Sequence, residues 1–175
     1  MKKNHLNINL AMVKMLLEKQ KKIILSLFFL LIFISASTAD EIKGFSKVID
    51  GDTVHINNNK IRLNGIDAPE KRQACIKFGQ EYSCGTESTE ALLKKIEKKP
   101  IICKVELNKD RYGRFIGVCF VEEINLNKWM VRNGHAVAYR RYSKEYIQDE
   151  EYAKKEKIGL WSGTFLEPEK WRKLN

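Results

Sequence analysis

The stretch TVHINNNKIRLNGIDAPE, from Thr53 to Glu70, has the pattern of two short strands joined by a polar turn. In TVHI the apolar residues Val54 and Ile56 alternate with polar ones, which is typical of a strand with one buried face. NNNK predicts a turn, and IRLNGI predicts a second strand that ends before Pro69, since proline cannot donate a hydrogen bond to a sheet. The stretch favours antiparallel, locally paired β-structure.

The segments on either side extend this β pattern. FSKVI (Phe45–Ile49) leads into the turn dipeptide Asp50-Gly51, and the apolar runs IICKVEL and RFIGVCFVEE flank the polar turn NKDRYG. HAVAY predicts one more short strand, whereas residues 71–82 are expected to form an irregular loop. Strands that follow one another so closely are expected to pair with their neighbours in sequence.

Three helices are expected among these strands. The first covers Thr86–Lys98, with an apolar stripe and a lysine-rich last turn before Pro100. NLNKWMVRNG predicts a short second helix with Gly134 past its end, and SKEYIQDEEYAKKEKIG predicts a third that ends at Gly159. The combination predicts an α+β domain, a five-stranded β-barrel of the oligonucleotide-binding (OB) type with three α-helices.

The first 39 residues have the composition of an export signal. Lysines precede an apolar run of 14 residues, Ile23–Ala36, and small residues follow up to Ala39. The run is shorter than the roughly 20 residues that a spanning helix needs. We therefore predict a signal peptide at residues 1–39, cleaved after Ala39, and a secreted or periplasmic protein. The alternative is an uncleaved membrane anchor with the domain outside the cytoplasm.

Four cysteines follow this segment, and none forms a C-x-x-C pair, which argues against a cysteine-only zinc site. In an oxidising compartment two disulfides are the natural interpretation. Cys103 and Cys119 are equidistant from Arg111 in the turn NKDRYG, so a hairpin would bring them face to face. That pairing leaves Cys75 with Cys84. Buried free thiols are the alternative.

Three charged segments stand out: DGDT (Asp50–Thr53), RLNGIDAPE (Arg62–Glu70) and DRYGR (Asp110–Arg114). Each alone has an ordinary explanation as a turn, a strand end or a hairpin tip. Arg62 is harder to explain in this way, because a strand position between two apolar residues seldom carries a guanidinium unless that face meets a carboxylate, a phosphate or solvent.

Together with GLWS near the end of the chain, these segments resemble the ordered motifs of the thermonucleases, the family of staphylococcal nuclease. The resemblance covers about residues 44–163. It implies a calcium-dependent phosphodiesterase on a five-stranded OB barrel, which cleaves DNA and/or RNA and leaves 3′-phosphate ends. The nuclease domain is accordingly expected at 40–163, and the charged tail at 164–175 has no role in these motifs.

The resemblance implies a calcium site made of the carboxylates of Asp52 and Asp67 and the backbone carbonyl of Ala68. Calcium prefers hard oxygen ligands, which carboxylates and carbonyls supply. Because Ala68 precedes Pro69, its backbone is expected to be extended, with a carbonyl free of a sheet partner. An alanine can then stand at a ligand position, since its side chain is not used.

The same resemblance implies that Glu70 is the general base or water-positioning group and that Arg62 and Arg114 bind the scissile phosphate. Hydrolysis of a phosphodiester needs an activated water and neutralised phosphoryl oxygens, and an arginine grips such oxygens bidentately. Three further residues are implied to line the nucleotide pocket: Arg111, Tyr112 and Tyr139.

Strict alternation along a strand would place Arg62 and Asp67 on opposite faces of the sheet. Both side chains reach one site only if the strand bends or bulges near Gly65. We therefore predict an irregular strand at Gly65.

The alternative function is a non-catalytic module that binds nucleic acid outside the cytoplasm. Carboxylates beside a phosphate would repel it unless a cation lies between them, which argues against binding alone. The residues after Ala39 carry +5 of the total net charge of +10, too little for non-specific coating of nucleic acid. We expect a monomer with a DNA and/or RNA substrate and no obligate protein partner, and with membrane contact only if the N-terminal segment is uncleaved.

Overall fold

The computed structural model describes residue 10, residues 12–25 and residues 40–175. The chain divides into two compact units, Met1–Thr38 and Ala39–Asn175. Residues 12–25 are helical (α1), and most of the predicted signal run and its cleavage point lie outside the described residues. Among the residues that are described, no helix combines the length and the apolar character needed to cross a membrane.

Five strands of the second unit close into a small barrel, which confirms the predicted α+β fold. The strand order is β3-β2-β1-β7-β8, and the ring closes because β3 also pairs in parallel with β8. The remaining pairings in the ring are antiparallel. The strands of the unit are β1 (Asp40–Asp50), β2 (Thr53–Ile56), β3 (Asn59–Leu63), β4 (Ile66–Asp67), β5 (Cys75–Lys77), β6 (Gln80–Tyr82), β7 (Pro100–Lys109), β8 (Phe115–Val121), β9 (Ile124–Asn125) and β10 (Val137–Ala138).

Alternate strand residues fill the barrel. Val54 and Ile56 of β2 and Ile61 and Leu63 of β3 are all buried, as the alternation in the sequence requires. Each side chain of this size contributes about 1.5–3 kcal/mol when it is fully buried. Residues from two helices complete the same core: Leu92, Ile96, Leu126 and Met130.

The helices of this unit are α2 (Cys84–Ile96), α3 (Leu126–Arg132), α4 (Ile147–Lys155) and α5 (Pro168–Leu174), with a 3-10 turn at Gly159–Ser162. The predicted end of the first helix at Lys98 is wrong, because Glu97 and Lys98 have positive φ angles of 49° and 58°. The third predicted helix starts later than Ser143, since the Ser143 hydroxyl accepts a hydrogen bond from the Glu145 amide in a turn (3.1 Å). Helix α5 is a fourth helix that the sequence interpretation missed.

Residues 71–82 are more regular than predicted. They contain an antiparallel hairpin, β5 paired with β6, whose turn consists of Phe78 and Gly79 at φ angles of 54° and 77°. Ile76 also forms a β-bridge with Thr164, with backbone hydrogen bonds of 2.9 and 2.8 Å. A strand of three residues is too short to show a periodic pattern in the sequence. The pairing of Ile76 with Thr164 joins residues that are too far apart in sequence for a local pattern to predict it.

Both predicted disulfides are confirmed. Cys103 and Cys119 face each other in the register of β7 and β8, and Cys75 is bonded to Cys84. Links of this kind typically contribute about 2–4 kcal/mol by restricting the unfolded chain. The Cys75–Cys84 disulfide joins the segment after β4 to the start of α2. This segment also contains Glu70, which lines the groove described below.

Candidate active site

An open groove of about 1130 Å³ runs between the end of β3, the tip of the β7–β8 hairpin and α5. Six predicted site residues line it: Arg62, Glu70, Arg111, Tyr112, Arg114 and Tyr139. Three others are buried, with 1 to 3 % of their surface exposed: Asp52, Asp67 and Ala68. The fold therefore gathers residues from separate motifs at one surface.

The chain that carries Arg62 leaves regular strand geometry at Gly65, as predicted. Gly65 has a φ of +72°, and a Cβ at this position would lie 2.8 Å from Cβ of Ser143, so glycine is required there. After this break, β4 leaves the barrel sheet and pairs with β10. The change of direction brings Asp67 within hydrogen-bonding distance of Arg62.

A buried asparagine satisfies backbone groups next to this break. The side-chain amide of Asn127 donates to the carbonyl oxygens of Asn64 (2.9 Å) and Gly117 (3.2 Å), and its Oδ1 accepts from the Cys119 amide (3.0 Å). Asn127 is 0 % exposed. Helix α3 thereby fixes the end of β3 against β8 from inside the domain.

Four side chains form what we call the carboxylate cluster: Asp52, Arg62, Asp67 and Glu70. Arg62 lies opposite Thr53 in the β2–β3 register, so its guanidinium reaches the adjacent Asp52. Nη1 of Arg62 donates to Oδ1 of Asp52, and Nη2 donates to Oδ1 of Asp67 at 2.8 Å. Oδ2 of Asp52 accepts from the Ala68 amide at 2.8 Å. One guanidinium thus joins the two carboxylates that are predicted to bind metal.

The cluster holds more negative charge than Arg62 neutralises. Burial raises the pKa of Asp52 to about 7, and the carboxylates of Asp50 and Asp67 add smaller effects in the same direction; Arg62 and the Ala68 amide lower the pKa but do not cancel the effect of burial. A cation that pairs with the Asp52 carboxylate would offset this cost of burial.

The hairpin tip (Asp110–Arg114) forms the other end of the groove. Oδ2 of Asp110 accepts from Nε and Nη2 of Arg114 at 2.9 and 2.8 Å, and its Oδ1 accepts from the amides of Tyr112 and Arg114. Tyr112 is 62 % exposed, and the guanidinium carbons of Arg111 and Arg114 lie 4.8 and 5.2 Å from the centre of its ring. Arg114 lines the groove with Arg62, but its hydrogen bonds stay within the hairpin tip.

Tyr139 reaches the groove because of the same break at Gly65. Its amide donates to the Gly65 carbonyl at 2.9 Å, directly after β10. Its ring packs edge-on against Tyr142, with centroids 4.7 Å apart. Tyr142 also lines the groove, so this wall carries two aromatic rings.

Arg172, from α5, also enters the site and was not predicted. Nη1 donates to Oδ1 of Asp67 (2.9 Å) and to Oε1 of Glu70 (2.8 Å), and Nη2 donates to Oδ2 of Asp67 (2.9 Å). The sequence signal was Pro168, which favours the first turn of a helix and could have revealed α5. Local sequence could not have revealed that the helix delivers an arginine to carboxylates about 100 residues earlier.

Comparison with known protein families identifies the family of this chain. The family model described as staphylococcal nuclease homologue matches residues 60–163. The chain belongs to the staphylococcal nuclease family.

Named relatives of this staphylococcal nuclease family member come from several bacteria. A "Succinoglycan biosynthesis protein ExoI" of Rhizobium meliloti is 38 % identical over 130 residues, 72 % of this chain and 68 % of the relative. An "Uncharacterized endonuclease" of Haemophilus influenzae is 36 % identical over 164 residues, 87 % of this chain and 86 % of the relative. A "Micrococcal nuclease" of Shigella flexneri is 32 % identical over 147 residues, 74 % and 79 % of the two chains. The family and the latter two names support a nuclease, a hydrolase that acts on nucleic acids.

The staphylococcal nuclease family implies a calcium ion, and the carboxylate cluster fits such an ion by its chemistry. Its donors are hard carboxylate oxygens, and its three carboxylates outnumber its one guanidinium. Within the described residues, no three acidic, histidine or cysteine side chains are arranged to hold a metal together. Asp52 and Asp67 are instead joined through Arg62, whereas Glu70 contacts Arg172.

Proposed function

We propose that this chain is an exported, calcium-dependent endonuclease that hydrolyses phosphodiester bonds of DNA and/or RNA and leaves 3′-phosphate ends. The observation that carries the proposal is the carboxylate cluster at the wall of an open groove whose far end presents Arg114 and Tyr112. Membership of the staphylococcal nuclease family supports the same reaction.

Asp52, Asp67 and the carbonyl of Ala68 are the residues that would hold calcium, with buried oxygens on adjacent segments. A bound calcium ion supplies positive charge that polarises a phosphoryl oxygen. Glu70 is one-third exposed at the edge of the groove, where its carboxylate has access to a water molecule and takes a proton from it.

The two arginines of the groove have complementary roles. Arg62 and Arg114 neutralise the phosphoryl oxygens as negative charge develops on them, which a planar guanidinium does bidentately. Arg111, Tyr112 and Tyr139 contact the nucleoside next to the scissile phosphate, since exposed aromatic rings offer stacking surfaces that tolerate any base. We expect the protein to act as a monomer.

Export is proposed from the N-terminal composition, with a signal peptide at residues 1–39 cleaved after Ala39. Two disulfides in the described domain are compatible with an oxidising compartment. Sequencing the N-terminus of the protein recovered outside the cytoplasm tests the cleavage point, and a full-length membrane-bound protein would instead indicate an anchor.

The nuclease proposal is tested by incubating the full-length protein with single-stranded DNA, double-stranded DNA and RNA, first in calcium and then in excess chelator. We expect cleavage only in calcium, with product ends that accept a 5′ label directly but need phosphatase treatment before 3′ extension. Cleavage that persists in chelator would overturn the metal requirement. Tight binding without cleavage in calcium would favour the binding module instead.

A further inference from the structure

Arg172 occupies oxygen positions that the proposed calcium ion needs. A carboxylate oxygen accepts about two hydrogen bonds. Oδ1 of Asp67 already accepts one from Arg62 at 2.8 Å and one from Arg172 at 2.9 Å, and Oδ2 accepts a further one from Arg172. The same guanidinium holds Oε1 of Glu70 at 2.8 Å. With Arg172 in this position, Oδ1 of Asp67 has no further lone pair for a metal ion.

Several contacts attach the tail that carries Arg172 to the domain. Thr164 is bridged to Ile76, and the Phe165 ring packs edge-on against Trp161 at 4.9 Å. The buried Gln73 side chain donates to the Leu166 carbonyl at 2.6 Å. The same side chain accepts a hydrogen bond from the Glu70 amide at 3.2 Å, so it connects the tail to the loop that carries the proposed base. These contacts fix residues 164–166, from which α5 extends over the groove.

We propose, resting on the nuclease function above, that Arg172 is an internal competitor of calcium: its guanidinium holds Asp67 and Glu70, and calcium binding displaces it. Arg172 is the arginine of the site that can leave most readily, because 33 % of its side chain is exposed against 15 % for Arg62. Helix α5 also has just seven residues, of which Pro168 alone is buried, so few contacts have to break.

This role predicts how the tail responds to metal. A guanidinium and a divalent cation at the same carboxylate repel each other, so each lowers the affinity of the site for the other. Calcium therefore acts twice in this enzyme, since it completes the site and releases Glu70 from Arg172. At low calcium the tail keeps the enzyme inactive.

The proposal is tested by calorimetric titration of calcium into the full-length wild type and three variants at constant ionic strength. Arg172→Ala should bind calcium about tenfold more tightly. This gain in affinity is the size expected when calcium no longer has to break the charge-assisted hydrogen bonds of Arg172 to the carboxylates. Arg172→Lys should give a smaller gain, because lysine keeps the charge but lacks the planar fork. Lys173→Ala is the matched control on the same helix, since Lys173 pairs with Glu169 and not with the cluster, and its affinity should be unchanged.

Hydrogen exchange of the wild-type protein gives a second measurement that does not depend on a variant. Amides of α5 should exchange faster in calcium than in chelator if the metal releases Arg172, whereas the barrel strands should not. Unchanged or slower exchange of α5 in calcium would overturn the proposal, as would calcium affinity in Arg172→Ala that is equal to or weaker than that of the wild type.

The outcomes separate this proposal from the nuclease function. If the wild type binds calcium and cleaves DNA or RNA but Arg172→Ala gains no affinity, competition is wrong and the nuclease assignment stands. If neither protein binds calcium and neither cleaves, the calcium-dependent nuclease function fails, and the competition fails with it.

Discussion

The two ends of the groove use the same residue types in opposite surroundings. At the carboxylate cluster, the side chains of Arg62 and Asp52 are 15 % and 3 % exposed and come from strand β3 and from the turn between β1 and β2. At the hairpin tip, those of Arg114 and Asp110 are 24 % and 19 % exposed and are four residues apart. The cluster exists only when the barrel is folded and the chain is bent at Gly65, whereas the tip can form its contacts within a single turn.

This difference in burial predicts that substitutions at the two ends of the groove have different effects on stability. Breaking a buried ion pair leaves a charge without compensation, which costs several kcal/mol, whereas a partly exposed pair contributes about 0–1 kcal/mol. We therefore expect substitutions at the cluster to change both unfolding and activity. Substitutions at the hairpin tip should change activity with little effect on unfolding.

The largest expected effect is on turnover when Glu70 is replaced by glutamine. Glu70→Gln removes the proposed base while keeping its size, so the rate of phosphodiester cleavage should fall about 10²–10⁴-fold, the usual contribution of general base catalysis. Initial rates at saturating DNA and calcium measure it. Glu169→Gln is the matched control, because Glu169 also lines the groove but lies outside the cluster. Equal rates for the two variants would show that the base lies elsewhere.

Next in size is the loss of stability on removing Arg62. Arg62→Ala leaves the buried Asp52 without its guanidinium, and the free energy of unfolding in chelator should fall by about 3–5 kcal/mol. Denaturant unfolding of Arg62→Ala and of Arg114→Ala compares the loss of stability at the two ends of the groove. The free energy of unfolding of Arg114→Ala should fall by no more than about 1 kcal/mol. Similar losses for both variants would contradict the contrast.

A smaller effect is expected behind the cluster, at Asn127. Asn127→Ala removes all three hydrogen bonds of this side chain at the break after β3, which should lower the free energy of unfolding by about 1–3 kcal/mol. Asn125→Ala at the half-buried N-cap of the same helix loses the hydrogen bond from the Lys128 amide, about 1 kcal/mol. Denaturant unfolding compares the two, and an equal loss would mean that Asn127 does not support the break.

The sequence predicted the parts of the molecule that depend on local pattern or on motif. The barrel strands, the pairing of Cys103 with Cys119 and the break at Gly65 all follow from alternation, from symmetry about a turn, or from the need to bring two charges together. The helix ends were less accurate, because the left-handed residues Glu97 and Lys98 are neither glycine nor asparagine. Arg172 was missed because its partners are remote in sequence.

The smallest expected effect is the coupling between Asp110 and Arg114 at the hairpin tip. Burial alone would raise the pKa of Asp110, but hydrogen bonds from the Arg114 amide and guanidinium and from the Tyr112 amide outweigh it and lower the pKa. A carboxyl group whose pKa is lower in the folded state stabilises that state at pH values above its unfolded pKa, and this stabilisation is lost as the pH falls through the folded pKa. A double-mutant cycle of Asp110→Ala and Arg114→Ala should therefore give a coupling of about 0.5 kcal/mol at pH 7 that falls towards zero in acid, below the ordinary pKa of 3.8. A coupling of several kcal/mol at pH 7 would mean that the tip depends on the fold as much as the cluster does, and the distinction between the two ends would not hold.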